Sequence, residues 1–242
     1  MRIIGKIEIK DDYVIKPIQF EGVRKIGNPE DLINNFYNDK FDEILIMNIT
    51  GSLYGIGWIK EFVKKILKKT FIPVTIGGGI KNADNAKEFF DVGVDKIAIN
   101  TNLINDFSLL DKLKTEFGSQ SVICSIQANK INEQWFAFTN MARENSKIKV
   151  VDLIEKYTKE GTGEILITSV RRDGTLSGFD EELVNLFLQY NKIPIIYSGG
   201  IIMDDAIKLK KYSLDAITVS SSYYYKKFNP TEFKKNLITH EI

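Results

Sequence analysis

Glu43-Ile44-Leu45-Ile46 returns as Glu164-Ile165-Leu166-Ile167, 121 positions further along the chain. The same offset carries Ile72-Pro73 onto Ile193-Pro194 and Gly78-Gly79-Ile80 onto Gly199-Gly200-Ile201. It also carries Asp84 and Lys87 onto Asp205 and Lys208. One residue is then lost, and Asp95 falls opposite Asp215. An offset shared by several motifs marks an internal repeat. Around it, short apolar runs at 2–9, 43–49, 72–76, 96–99, 122–127, 164–170, 193–197 and 216–219 read as buried parallel strands. Amphipathic stretches at 29–38, 58–69, 83–92, 107–117, 150–160, 181–190, 204–211 and 230–239 read as helices between them. The first begins Asn28-Pro29, a capping residue followed by proline at the first helical position. Eight such units predict a (β/α)8 TIM barrel. An open doubly wound sheet shares the alternation, but two like (βα)4 halves close naturally into a ring. Residues 1–242 read as one barrel domain, with no linker.

The composition narrows the function. Of 242 residues, 33 are Lys or Arg and 32 are Asp or Glu, so no basic excess points to nucleic acid or an anionic membrane. No stretch of about 18 apolar residues predicts a membrane span. Residues 1–12, MRIIGKIEIKDD, lack the apolar core of a signal peptide. Cys124 is the only cysteine, which excludes an intrachain disulfide and fits a reducing cytoplasm. His240 is the only histidine and sits in the last three residues, which argues against a Ser-His-Asp triad or a histidine-rich metal site. Carboxylates, amides, hydroxyls, lysines and backbone are left to do any chemistry, and nothing calls for a metal or organic cofactor.

In TIM barrels the site lies at the C-terminal ends of the strands. Ser198-Gly199-Gly200 follows the seventh strand and Ser220-Ser221-Ser222 the eighth. Glycine lets backbone amides approach an anion with no Cβ in the way. The repeat puts Gly77-Gly78-Gly79 and Asn100-Thr101 in the same places after the third and fourth strands. Two such cradles predict a phosphorylated small-molecule ligand with a phosphate at each end. Further candidates at strand ends are Glu8, Lys10, Lys16, Asn48, Gln127, Thr168 and Asp173. Asp173-Gly174-Thr175 suits a turn that aims an amide and a hydroxyl at an anion, while Arg171 and Arg172 read equally as a solvated loop. Residues 129–149, with Trp135, Phe136 and Phe138, read as a hairpin or lid.

Several of these stretches resemble the cyclase subunit of imidazole glycerol phosphate synthase. They are Ile72 to Ile80, Asp95 to Thr101, Phe117 to Gln120, Gly163 to Ser169, Arg172 to Thr175 and Ile193 to Gly200. The resemblance implies a partnership with a glutaminase subunit, whose ammonia crosses the barrel core. At the far mouth it meets a ribulosyl aminoimidazole carboxamide nucleotide with two phosphates. The implied products are imidazole glycerol phosphate and an aminoimidazole carboxamide ribotide. Two aspartates, on the first and fifth strands, serve as acid and base.

Here the sequence departs from the pattern. Leu-Asp-Val-Lys becomes Ile7-Glu8-Ile9-Lys10, and Ile-Asp-Ala becomes Ile126-Gln127-Ala128. A further aspartate is Asn48, in Met47-Asn48-Ile49-Thr50, and Thr-His-Gly-Gly becomes Thr139-Asn140-Met141-Ala142. The four charges that gate the family's ammonia path are kept, as Arg2, Glu43, Lys96 and Glu164. A kept gate beneath an altered mouth favours an ammonia conduit and glutaminase activator. It would serve an ATP-dependent amidotransferase in surface-polysaccharide amidination, as divergent relatives do. The alternative is a working cyclase of histidine biosynthesis.

Overall fold

Strands apolar on both faces need cover on both. A computed structural model, which describes residues 1–11, 13–49, 51, 57–190 and 192–238, shows how this chain provides it. In chain order the first half contains β1 (Arg2–Lys10), β2 (Tyr13–Ile18), β3 (Glu21–Gly27), α1 (Pro29–Asn38), β4 (Glu43–Asn48), α2 (Gly57–Leu67), β5 (Val74–Gly77), α3 (Ala83–Phe90), β6 (Lys96–Ile99), α4 (Thr101–Asn105) and α5 (Ser108–Phe117). The second contains β7 (Val122–Ile131), β8 (Gln134–Thr139), β9 (Glu144–Lys149), α6 (Val150–Glu160), β10 (Glu164–Ser169), α7 (Glu181–Tyr190), β11 (Ile195–Ser198), α8 (Asp205–Leu209), β12 (Ala216–Val219), α9 (Ser221–Tyr224) and α10 (Pro230–Ile238). Thr50, Thr239 and His240 lie outside the described residues.

Parallel pairing runs β1–β4–β5–β6–β7–β10–β11–β12 and returns to β1, which closes the expected eight-stranded barrel. Two strands start later than their apolar runs. Pro73 and Pro194 donate no hydrogen bond, so the ladders begin at Val74 and Ile195. Residues 129–149 form the expected hairpin: β7 runs on beyond the barrel and pairs antiparallel with β8, which pairs with β9. The hairpin β2–β3, paired with β1, was not expected. Pro17 and Gly22 argue against strands at that point, and Pro17 sits in an irregular step of the ladder between Lys16 and Ile18.

The apolar residues separate into two cores. The larger, between barrel and helices, includes Ile3, Ile7, Ile44, Phe89 and Phe187. The smaller fills the barrel itself with Ile4, Leu45, Ala98, Ile123, Leu166, Ile196 and Ala216. Each fully buried Leu, Ile or Phe contributes about 1.5–3 kcal/mol. Asn28 caps α1 by accepting the Glu30 amide at 2.8 Å, as its sequence implies. The repeat's aspartates also gain a role. Asp95 accepts the Val74 amide at 2.8 Å, and Asp215 accepts the Ile195 amide at 2.8 Å. Asp42 does the same for Ile3 at 2.7 Å. Each carboxylate therefore ties the start of one strand to the neighbouring one. Cys124 is wholly buried on β7, and burial pushes its thiol up to about 12.

Candidate functional site

Side chains alternate along a strand, so every second barrel residue points inward. On β1 this set is Arg2, Ile4, Lys6 and Glu8, from the floor of the barrel to its mouth. At the floor, Arg2 lies 2.5 Å from Glu43 and 3.0 Å from Glu164. Lys96 lies 3.0 Å from Glu164 and 3.7 Å from Glu43. The four expected gate residues thus close an alternating ring. Burial works against the Arg2 charge, but Glu43 and Glu164 hold its pKa above the ordinary arginine value. Above the ring lies the aliphatic layer of the inner core.

At the mouth, Glu8 does not stand alone. Lys6 Nζ is 2.9 Å from Glu8 Oε1, and Lys16 Nζ is 2.6 Å from Glu8 Oε2. The same two ammonium groups face Asp173, at 3.5 Å and 3.1 Å. All four side chains are 5% exposed or less. Burial of a lone charge is costly; two cations alternating with two carboxylates offset most of that cost. Burial alone would lower the Lys6 pKa, yet Asp173 and Glu8 hold it above the usual lysine value. Burial alone would raise the Asp173 pKa, yet Lys16 and Lys6 hold it below the usual carboxylate value. Lys6 was not among the expected site residues. Its signal was the alternation Arg2, Ile4, Lys6, Glu8, which puts it on the same inward face as Glu8.

Gln127 accepts the Ala142 amide at 2.7 Å, so the hairpin fixes its side-chain carbonyl. Asn140, Met141 and Ala142 all have positive φ, at 50°, 61° and 58°. Only glycine takes this region freely, and the resembling family's Thr-His-Gly-Gly has glycines at the last two of these positions. Glu8, Gln127 and Thr168 line one small central cavity.

The two expected cradles flank that cavity. The first is lined by Asn48, Gly79, Asn100 and Thr101. The second is lined by Ser198, Gly199, Gly200, Ser220 and Ser221. Met47, Ser125, Gln127 and Met141 line both the first cradle and the central cavity, while Lys6 lines both the second cradle and the central cavity. The three spaces therefore form a line across the mouth.

The glycines have a packing reason of their own. Gly78 has φ 91°, and a Cβ there would come within 2.0 Å of the Asn48 carbonyl oxygen. Gly200 has φ 79°, and a Cβ there would come within 2.4 Å of the Gly178 oxygen. Better support for anion binding comes from the hydroxyls. In the first cradle, the Thr101 hydroxyl already accepts the Asn140 amide at 3.1 Å, and Asn100 donates to the Ser125 carbonyl at 3.1 Å. In the second, the Ser221 and Ser222 hydroxyls are buried without a partner, which a native structure rarely tolerates without use.

In the loop after β10, Asp173 and Gly174 line the second cradle, and Asp173 also faces the lysines. The Thr175 hydroxyl instead bonds to the Arg172 carbonyl at 2.8 Å. Gly174, with φ 76°, lets this loop pack against Pro17 of β2, whose oxygen lies 2.5 Å from where a Cβ would stand. Nor is Arg171 a solvated side chain. It grips Asp180 at 2.6 and 2.7 Å, reaches Glu182 at 3.0 Å and lies over the Trp135 ring at 4.7 Å. Arg172 is spent on Ser177, and Lys10 is exposed. The broadest surface groove, lined by Asp39, Tyr223, Lys227 and Phe228, contains none of the expected residues. Among the described residues, no helix is long and apolar enough to cross a membrane, and no group of three or more His, Cys, Asp and Glu is arranged to hold a metal.

Comparison with known proteins agrees with this geometry. The family described as "Histidine biosynthesis protein" matches residues 2–229. The chain is 39% identical to an imidazole glycerol phosphate synthase subunit HisF of Legionella pneumophila over 83% of this chain and 95% of that protein. It is 33% identical to the HisF subunit of a Thermotoga species (strain RQ2) over 100% of this chain and 96% of that one. The HisF subunit of Dictyoglomus thermophilum is 32% identical over 98% of this chain and 94% of its own.

Proposed function

Because the chain belongs to the histidine biosynthesis protein family, we propose that it is the cyclase-type subunit of an imidazole glycerol phosphate synthase. It would take ammonia from a separate glutaminase and close an imidazole ring on a nucleotide that carries a phosphate at each end. The observation that carries this reading is the line of three joined cavities, with a cradle at either end and Glu8 and Gln127 between them. Each phosphate sits in one cradle, which fixes the reacting carbons over the central cavity. Holding reactants in place is itself a large part of catalysis. The floor ring of Arg2, Glu43, Lys96 and Glu164 is the entrance for ammonia, and the floor face receives the glutaminase to form a heterodimer. Glu8 is the group that moves protons, with the Lys16 ammonium 2.6 Å away to balance its charge. Gln127 has no acidic proton, so it orients the substrate by hydrogen bonding. Asn48, Thr168 and Asp173 complete the mouth.

The test is single-turnover product formation by the purified chain, given the ribulosyl nucleotide and excess ammonium salt in alkaline buffer. Direct ammonia removes the need for a partner. Imidazole glycerol phosphate should form, and Glu8→Gln should slow it by about 10²–10⁴-fold, the usual worth of a general acid-base group.

A second reading rests on three particulars. Glu8 is engaged by two lysines, Gln127 cannot titrate, and the Met141 side chain lines both the first cradle and the central cavity. On this reading the chain conducts ammonia and activates the glutaminase. An ATP-dependent amidotransferase then uses the ammonia to amidinate a surface sugar. In the same assay, nucleotide bound without product would favour it over the first.

A further inference from the structure

We propose that Lys6 is a specificity-determining residue, whose ammonium group takes up the charge of a phosphate monoester seated in the second cradle. The proposal rests on the reading that the mouth binds a phosphorylated ligand, and it extends that reading to a residue outside both cradle motifs. Four observations support it.

The first is position. Lys6 is the one described residue that lines both the second cradle and the central cavity. The second is how its donors are used. An ammonium has three N–H groups. Lys6 makes one short contact, to Glu8 at 2.9 Å; its contacts to Asp173 and to the Ser198 hydroxyl are both 3.5 Å. A phosphate oxygen accepts from an ammonium at about 2.7–2.9 Å, a much stronger contact. The third is charge. Lys6, Lys16, Glu8 and Asp173 sum to zero, whereas without Lys6 the mouth would be net negative and oppose an anion. The fourth is the cradle wall itself, where the Ser221 and Ser222 hydroxyls are buried without a partner and Ser198 is already held by Thr218 at 2.8 Å.

Lys6 does not act as an amine nucleophile. That role needs a deprotonated amine, and Asp173 and Glu8 keep this one charged. Its role is to add a fixed positive charge to a cradle of neutral hydroxyls and amides whose one other charged lining residue is the Asp173 carboxylate. Ligands with a dianionic phosphate at this end gain most from it.

The experiment is a titration with inorganic phosphate at neutral pH, followed by the backbone amide resonances of each cradle. Gly199, Gly200 and Ser221 report the second cradle; Gly79, Asn100 and Thr101 report the first. Wild type is compared with Lys6→Met and with the double variant Lys6→Met/Glu8→Gln. The double variant leaves Lys16 facing Asp173 and so keeps the buried charge balanced. Both variants should bind phosphate about 10–100-fold more weakly at the second cradle, the worth of one charged hydrogen bond. The first cradle should keep its affinity. Recovery of wild-type affinity in the double variant would overturn the proposal, because Lys6 would then be only a counter-ion to Glu8. Equal weakening at both cradles would overturn it as well. If wild type responds at neither cradle, the reading beneath it fails and the proposal falls with it.

Discussion

The floor and the mouth of the barrel hold the same electrical arrangement, two cations alternating with two carboxylates, built in two ways. The floor ring takes one residue from each of β1, β4, β6 and β10, so its members enclose the barrel axis. It is partly open: the Arg2 side chain is 30% exposed and Lys96 19%. The mouth cluster takes two residues from β1, one from the β2–β3 hairpin and one from the loop after β10. It is shut away from solvent. The floor can therefore exchange partners with water at small cost. The mouth cannot, so each charge there is fixed by the other three.

The largest expected effect would break the mouth. Lys6→Met leaves two buried carboxylates facing one lysine, and should lower the free energy of unfolding by about 3–5 kcal/mol, measured by denaturant titration. Lys6→Met/Glu8→Gln should recover most of that loss; if it does not, the four charges are not one unit. A smaller effect should follow at the floor. Glu43→Gln should cost about 1–2 kcal/mol, between the values for exposed and buried pairs. An equal loss at both ends would remove the contrast between them.

Acidity sharpens the comparison further. The Asp173 pKa is lowered on folding, so its contribution is full above about pH 4 and lost as pH falls through the folded-state value. The Lys6 pKa is raised, so its contribution is full below about pH 10 and lost as pH rises through the folded-state value. The stability difference between wild type and Asp173→Asn should then be flat from about pH 4 to about pH 10 and shrink on either side. The smallest expected effect is that of salt. Raising the ionic strength to about 1 M should shrink the Glu43→Gln penalty by a few tenths of a kcal/mol and leave that of Lys6→Met unchanged, since buried pairs are screened least.

The repeat made the barrel legible because two halves at one offset allow few other closures. The floor ring was legible through the family resemblance, whose four gate charges match Arg2, Glu43, Lys96 and Glu164, and their places at strand starts then put them on one level. The mouth was only half legible. Glu8 and Asp173 stood out as strand-end carboxylates, but Lys6 sits in mid-strand, where a lysine reads as an outward polar residue unless its parity with Arg2 and Glu8 is counted. The β2–β3 hairpin, which supplies Lys16, was hidden by Pro17 and Gly22. The cradle glycines were read as anion contacts, while their positive φ and backbone neighbours show that loop packing needs them in any case. No sequence pattern marks that difference, because it depends on a loop more than twenty residues away. Arg171 posed the same difficulty, since its partners Asp180, Glu182 and Trp135 come from different segments.

Cys124 has a practical consequence. It is the chain's only thiol, fully enclosed and pushed up to about 12, so it stays in its inert form at any working pH. A cysteine introduced elsewhere at an exposed position would then be the single reactive handle on the molecule. Fluorophores or spin probes placed at the tip of the β7–β8 hairpin and beside α1 would report the distance between hairpin and barrel without a background to subtract.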